Sequence, residues 1–487
     1  MSSFLSNIFK LTAGTTIAQI IGIILIPVIT RLYSPESFGV NQLFLSIATV
    51  AVVISSLSYD YVIMLPKTDE DSINVFALCT VCILGVSAAI GAVFIGFRDW
   101  FGAFFETPMI ADYLVWLPIF VVFSSFFAIL NEWLSRKVQY GLLSRSIVLN
   151  SIATRAVQTG GGLVAASPLG LILGSMTGMV LAVLYMLRGL AEDTELLRAV
   201  TVRRMKEVAV RYKDFAVYGS AGGLANSLSW ELPAFMLAYF FNSAVLGYYA
   251  LAMMAVRLPM GMVGTAISQV FYQKASEEKN RTGSVKDVVR EIHTRLISIG
   301  IFPFVIFVIL AEDLFAFVFG AEWLTAGTYA MFLAPWIFTV FIFSPVSSLF
   351  GVLEKQRSYL SFEILTLLAW AAIFYVGGAS GDPIATLTLF SIGGTLIWGS
   401  KATYLVKISG AGYRDSASSL IRHLLLSIVI SLPLIVGRLL DLPLIILLGI
   451  AGLTAVAYYL LLFFNDTLVR REVMGMVQGL IPVKRLD

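Results

Sequence analysis

Residues 42–60 read QLFLSIATVAVVISSLSYD. Polar side chains fall at Gln42, Ser46, Thr49, Ser56 and Asp60 within this apolar run. At 100° per residue these five lie within roughly 80° of arc, which predicts one helix, about five turns long, with a single polar face. The run is long enough to cross a hydrocarbon core of about 30 Å. A spanning helix points such a face at other helices or at water, not at lipid. The stretch therefore predicts a hydrophilic cavity inside a membrane bundle, and with it a transporter.

The rest of the chain agrees. Hydrophobic residues make up 58% and charged residues 13% of the 487, against about 25% charged in soluble domains. No soluble core could hide that much apolar surface, so the chain reads as a polytopic membrane protein. Its two cysteines, Cys79 and Cys82, form a C-x-x-C inside an apolar run. A redox pair needs solvent access and a metal site needs more ligands, so they read as small apolar residues.

Apolar runs mark spans near 11–29, 40–62, 74–97, 113–134, 146–166, 168–187, 215–241, 246–272, 292–311, 330–352, 361–377, 385–406, 421–437 and 443–463. That is about fourteen helices, or twelve without the short final pair. The first run is too long for a cleavable signal, and no A-x-A site follows it. With the N-terminus inside, alternate loops place 28 Lys and Arg on the cytoplasmic side and three outside, Arg31, Arg98 and Arg438. This asymmetry puts both termini in the cytoplasm. The net charge of +3 follows from topology and gives no reason to expect nucleic acid.

The longest polar stretch, 188–214, carries Arg203, Arg204, Lys206, Arg211 and Lys213 and reads as a basic amphipathic helix on the inner leaflet. It separates a six-helix lobe, 1–190, through a linker, 191–214, from a second lobe, 215–410. Residues 411–487 add two further helices and a tail. The lobes look like repeats. Pro27 matches Pro233, Gly39 matches Gly247 and Lys67 matches Lys274, at offsets of 206, 208 and 207. Both start inside, which makes them parallel repeats about an axis along the membrane normal. The expected fold is all-α, with two pseudo-two-fold-related bundles around a central cavity lined by helices 1, 2, 7 and 8.

Several segments carry a family resemblance. Gly14-Thr15-Thr16-Ile17-Ala18-Gln19, Pro27, Thr30-Arg31-Leu32-Tyr33-Ser34-Pro35-Glu36-Ser37-Phe38-Gly39 and Leu65-Pro66-Lys67-Thr68-Asp69-Glu70 lie in the first lobe. Leu246-Gly247-Tyr248-Tyr249 and Phe319-Gly320-Ala321-Glu322-Trp323 follow in the second. In order and spacing these resemble Wzx-type polysaccharide flippases of the multidrug/oligosaccharidyl-lipid/polysaccharide (MOP) exporter superfamily. Fourteen helices, rather than twelve, are closer to the lipid II flippases of that superfamily. The resemblance implies a bacterial inner-membrane protein. It would carry an undecaprenyl-pyrophosphate-linked O-antigen, capsule or exopolysaccharide unit from the cytoplasmic to the periplasmic leaflet. Membrane lipids, and the polymerase and chain-length proteins of the same pathway, would be its partners.

The intramembrane charges suit that cargo. Arg155 shares a helix with Asn150, Ser151, Thr154 and Gln158; Arg257 precedes Leu258-Pro259; Arg31 ends helix 1 below Thr12, Thr16, Gln19 and Thr30. Arginine stays protonated when buried, and its fork fits a pyrophosphate. Arg31, Arg155 and Arg257, with Gln19 and Gln42, are the candidate substrate-binding residues. Arg31 could instead be an interfacial anchor, and the other two could pair with carboxylates. Asp60, Glu132 and Glu231 are candidates for ion coupling or gating, with Glu231 and Arg257 at matching depths on adjacent helices. Outward movement of an anion gains about 2.3 kcal/mol per charge per 100 mV. Resetting the empty carrier could use a proton or a sodium ion, and no other cofactor is expected. His293 and His423 read as bystanders. No G-x-x-x-x-G-K-[ST] is present, so no P-loop drives transport. Asp69-Glu70-Asp71 is a lone D-x-D, weak support for a glycosyltransferase, and no large loop suggests a polymerase. The alternative within transport is a cation-coupled multidrug exporter.

Overall fold

The computed structural model describes residues 2–259, 265–347, 349–353, 355–465 and 470, and among these there is helix and no strand. The principal helices are α1 (Ser2–Leu32), α2 (Pro35–Ser55), α3 (Asp69–Gly96), α4 (Arg98–Phe104), α5 (Leu117–Arg136), α6 (Tyr140–Val164), α7 (Pro168–Ala191), α8 (Val202–Arg211), α9 (Ser220–Phe240), α10 (Ser243–Pro259), α11 (Thr265–Thr282), α12 (Lys286–Phe319), α13 (Leu324–Phe343), α14 (Gln356–Gly378), α15 (Pro383–Ile408), α16 (Tyr413–Ile430), α17 (Leu432–Leu439) and α18 (Leu444–Asn465). Among the described residues, ten helices are long and apolar enough to cross a membrane, or eleven if the bent pair α16–α17 is one span. Helices α6 and α9 are long enough but more polar. They are the helices that carry Arg155 and Glu231. Part of the expected span 246–272 lies outside the described residues.

One expectation is corrected. The run 40–62 is not a single helix: α2 ends at Ser55, and Leu57 and Ser58 take left-handed backbone angles, φ 50° and 56°. The cause is the serine cluster. Ser55 Oγ donates to the Val52 carbonyl, and serine side chains of this kind compete with the helical ladder. Gln42, Ser46 and Thr49 therefore ride on α2, while Ser56 and Asp60 sit in the turn beyond it.

By packing, the chain forms two compact units. The first is Met1–Leu251 with Phe315–Ala326 and Glu363–Thr386; the second is Ala252–Leu314, Gly327–Phe362 and Leu387–Asp487.

In the first unit, helix starts are written in the sequence. Ser34 caps α2, accepting from the Ser37 amide, with Pro35 in the first turn. Thr68 caps α3, whose first turn holds Asp69, Glu70 and Asp71, where carboxylates suit the positive end of the helix dipole. Asp69 then takes Arg136 at 2.9 Å and Lys137 at 2.7 Å, which ties α3 to the end of α5. Burial works against the charge of Lys137, but its hydrogen bonds to Asp69 and Asp193 outweigh this and hold it above the ordinary lysine range.

Helices α6 and α7 pack through Gly170, Gly174 and Gly178, spaced by four on α7. A β-carbon on Gly174 would stand 2.9 Å from the Thr154 carbonyl oxygen, and one on Gly178 2.7 Å from that of Asn150. Small residues let membrane helices approach this closely. The polar face expected on α6 is therefore largely a packing face. Asn150 and Thr154 lie against these glycines, buried Gln158 donates to the Leu171 carbonyl, and Ser151 donates to that of Ala18.

In the second unit, Arg438 on α17 donates to Glu312 at 2.6 Å and to the Ile309 carbonyl, and Tyr458 on α18 donates to the Ser298 carbonyl. These bonds fix the last hairpin to α12.

The glycine row gives a test. Gly174→Leu drives a side chain into the α6 backbone, whereas a β-carbon on Gly85 meets nothing within 4 Å. Overpacking of this kind typically costs about 1–3 kcal/mol or more. We expect Gly174→Leu to lower the melting temperature of the detergent-purified protein by several degrees and Gly85→Leu to leave it unchanged; equal behaviour would refute the packing argument.

Candidate transport site and the contact of two helix starts

The buried part of the polar face of α2 turns toward α9. Gln42 Nε2 donates to Ser46 Oγ at 3.1 Å, and Ser46 donates to Glu231 Oε2 at 2.6 Å. Ser46 is fully buried, Gln42 and Glu231 are half-buried, and Thr49 is exposed. The seam continues toward the far end of α2. A β-carbon on Gly223 would lie 3.1 Å from Val53, and Ser220 Oγ donates to Ser58 Oγ at 3.2 Å. Gly223, Ser227 and Glu231 form one row on α9. The Ser227 hydroxyl is buried without a hydrogen-bond partner among the described residues.

Beyond the end of α2 a cavity of about 220 Å³ is lined by Ser55, Ser56, Ser58, Asp60 and Ser125, among others. Asp60 accepts from Ser56 at 2.8 Å, and Ser55 and Ser125 share a 2.6 Å hydrogen bond. Burial, and then the carboxylates of Asp60 and Glu132, push the Tyr61 phenol up. Among the described residues neither Asp60 nor Glu132 has an ion-pair partner.

Arg155 is half-buried on α6 and extends toward Gly22 of α1. Its guanidinium donates to Gln158 Oε1 at 2.9 Å and, among the described residues, meets no carboxylate. Gln19 is exposed on α1, three residues before Gly22. Arg257 lies half-buried near the end of α10, in the second unit.

Arg31 has a different setting, in a cluster that the sequence did not announce. It donates to the Phe317 carbonyl at 3.0 Å, and Thr30 Oγ1 donates to that of Phe319 at 3.1 Å. Trp323 is fully buried; its Nε1–H donates to the Thr30 carbonyl at 2.8 Å. Its ring meets Phe38 edge-on at 4.8 Å and Tyr248 at 6.0 Å. Beside it the starts of α2 and α10 touch backbone to backbone. A β-carbon on Gly39 would overlap the Ser243 carbonyl, and one on Gly247 would overlap the Pro35 carbonyl.

This contact is reciprocal. Pro35 and Ser243 stand at the same offset of 208 as Gly39 and Gly247, so each helix start presents the same surface to the other. The matched glycines were legible as repeat markers, but their meeting was not. With Tyr33, which donates to the Gln158 carbonyl at 2.6 Å, the segments 30–39, 246–249 and 319–323 converge on one packed cluster.

Closure of the periplasmic end by this contact can be tested. Gly39→Leu and Gly247→Leu cannot form the contact. In a chain with Cys79→Ser and Cys82→Ser, a cysteine replacing half-buried Ser34 should then react faster with an impermeant thiol reagent on spheroplasts. Unchanged labelling at normal protein levels would mean the contact does not close this end.

A family model described as polysaccharide biosynthesis protein matches residues 28–327. No curated protein matches the chain. Among solved structures, the lipid II flippase MurJ in an inward closed conformation gives a TM-score of 0.68 at 13% identity, covering 93% of this chain and 99% of its own. An inward-facing multidrug resistance MATE family transporter of the MOP superfamily gives 0.57 at 14% identity, covering 82% and 99%. A MOP superfamily transporter from Pyrococcus furiosus gives 0.51 at 13% identity, covering 83% and 95%. At such identities the likeness speaks for the fold, and these neighbours are flippases and transporters, not enzymes. With the family model spanning well over half of its residues, the chain belongs to the polysaccharide biosynthesis protein family, as a multi-pass membrane protein whose fold is similar to that of the MOP superfamily transporters.

Proposed function

We propose that this protein flips an undecaprenyl-pyrophosphate-linked oligosaccharide, the repeat unit of an O-antigen, lipopolysaccharide, capsule or exopolysaccharide, from the cytoplasmic to the periplasmic leaflet of a bacterial inner membrane. The observation that carries this reading is Arg155. A protonated guanidinium on a membrane helix is costly unless it meets an anion, and Gln158 is a neutral partner. A pyrophosphate supplies the missing charge and the bidentate geometry. Gln19 lies near enough along α1 to assist, and Gln42 and Arg257 would contribute from α2 and α10.

The cycle is alternating access between two six-helix lobes, 1–190 and 215–410, about a central cavity, with both termini in the cytoplasm. The contact at Gly39 and Gly247 supports a state shut on the periplasmic side, and Arg31 would act there as a latch. Asp60, Glu132 and Glu231 would couple a proton or sodium ion to the return step. Pathway polymerase and chain-length proteins would receive the product.

Those same carboxylates favour the second reading, a cation-coupled multidrug exporter, because acids without cationic partners suit a cationic drug. Measurement of surface polysaccharide per unit of membrane-inserted protein separates the two. Arg155→Ala should lower it about tenfold or more, since hydrogen bonds to a charged group are worth about 1.5–3 kcal/mol. Arg155→Lys should recover it in part, because lysine keeps the charge but loses the fork. Full export in Arg155→Ala, with drug resistance lost in Glu231→Gln, would replace the flippase by the exporter.

A further inference from the structure

The linker helix α8 is fastened along one side and bare along the other. On the fastened side, Val208 is buried, Arg204 pairs with Glu70 at 2.5 Å and Tyr59 donates to the Ala209 carbonyl at 3.1 Å. Just before the helix, Asn74 donates to the Ala199 carbonyl at 3.1 Å and accepts from the Thr201 amide at 3.0 Å. Thr201 in turn caps the first turn. The segment is thus part of the first unit and not a slack tether.

On the bare side, Val202, Lys206 and Val210 recur every four residues and so form one row. The two valines are each 70% exposed. Arg203, Arg211 and Lys213 stand exposed around them; Glu207 pairs with Arg203 at 3.0 Å. A short way on, Val217 and Tyr218 are 60% and 75% exposed at the start of the apolar helix segment that leads into α9.

We propose that this bare face docks on the headgroups of anionic phospholipids in the leaflet that borders it. Two exposed valines beside lysine and arginine suit the headgroup–acyl boundary, where the apolar side chains sink and the cations meet phosphate. Adjacent entry into the apolar segment that leads into α9 sets the row beside that boundary. Zwitterionic lipid offers the valines the same slot but no net charge, so the preference is for phosphatidylglycerol or cardiolipin over phosphatidylcholine. This surface is independent of the transported substrate.

The test uses the full chain in detergent, with phosphatidylglycerol or phosphatidylcholine added and retained lipid counted by native mass spectrometry at two salt concentrations. Wild type should retain phosphatidylglycerol preferentially, and less of it at high salt. The triple variant Lys206→Gln, Arg211→Gln, Lys213→Gln should bind it on the order of a hundredfold more weakly, at about fivefold per cation. Its melting temperature without lipid should be that of wild type. If that variant does not fold, Lys206→Gln alone should flatten the salt dependence. Equal retention of the two lipids by wild type, undiminished retention in the variants, or displacement of phosphatidylglycerol by inorganic phosphate would overturn the proposal. Arg155→Ala should keep wild-type lipid retention, which separates this outcome from any failure of the flippase reading.

Discussion

The first unit depends on one constraint: two helix starts meet with nothing but hydrogen between their backbones. Gly39 lies on the Ser243 carbonyl and Gly247 on that of Pro35. Everything around the contact follows from that closeness. Ser34 and Pro35 must begin α2 at that point, Tyr33 must hold the end of α1 against α6, and Trp323 must fill the wedge between Phe38 and Tyr248. Below the contact, α2 can then lie along α9, which brings Ser46 to Glu231.

The seam beneath this contact is carried by few side-chain bonds, Ser46 to Glu231 and Ser220 to Ser58. By contrast, the Asp69, Arg136, Lys137 and Asp193 cluster at the other end of α3 and α5 is fully engaged. It reads as scaffold.

Much of the architecture was legible because bilayer thickness forces a simple signal: apolar runs of fixed length separated by charge. The run 40–62 misled for a local reason. Periodicity extended its helix through Ser55-Ser56-Leu57-Ser58, but a run of serines can satisfy the backbone better in a turn. The site was legible only in part. Arg155 stands out as a charge in an apolar context, and Glu231 likewise. Asn150 and Thr154 shared a face with Arg155 for another reason, since they meet the Gly170, Gly174 and Gly178 row. That spacing was in the sequence and could have assigned the face to packing. Trp323 gave no such signal, because a tryptophan near a loop reads equally as an interfacial anchor.

The reciprocity at Gly39 and Gly247 also bears on ancestry. A patch that pairs with its own counterpart is the kind that two copies of one chain form across a dyad. A half-length ancestor with a helix opening on a residue like Pro35 or Ser243, and a glycine four residues later, would already have owned the contact as a homodimer. Fusion of two such genes would have needed only a connector, the place α8 takes between the two matched segments. A side chain on either glycine would have broken both halves of the contact at once.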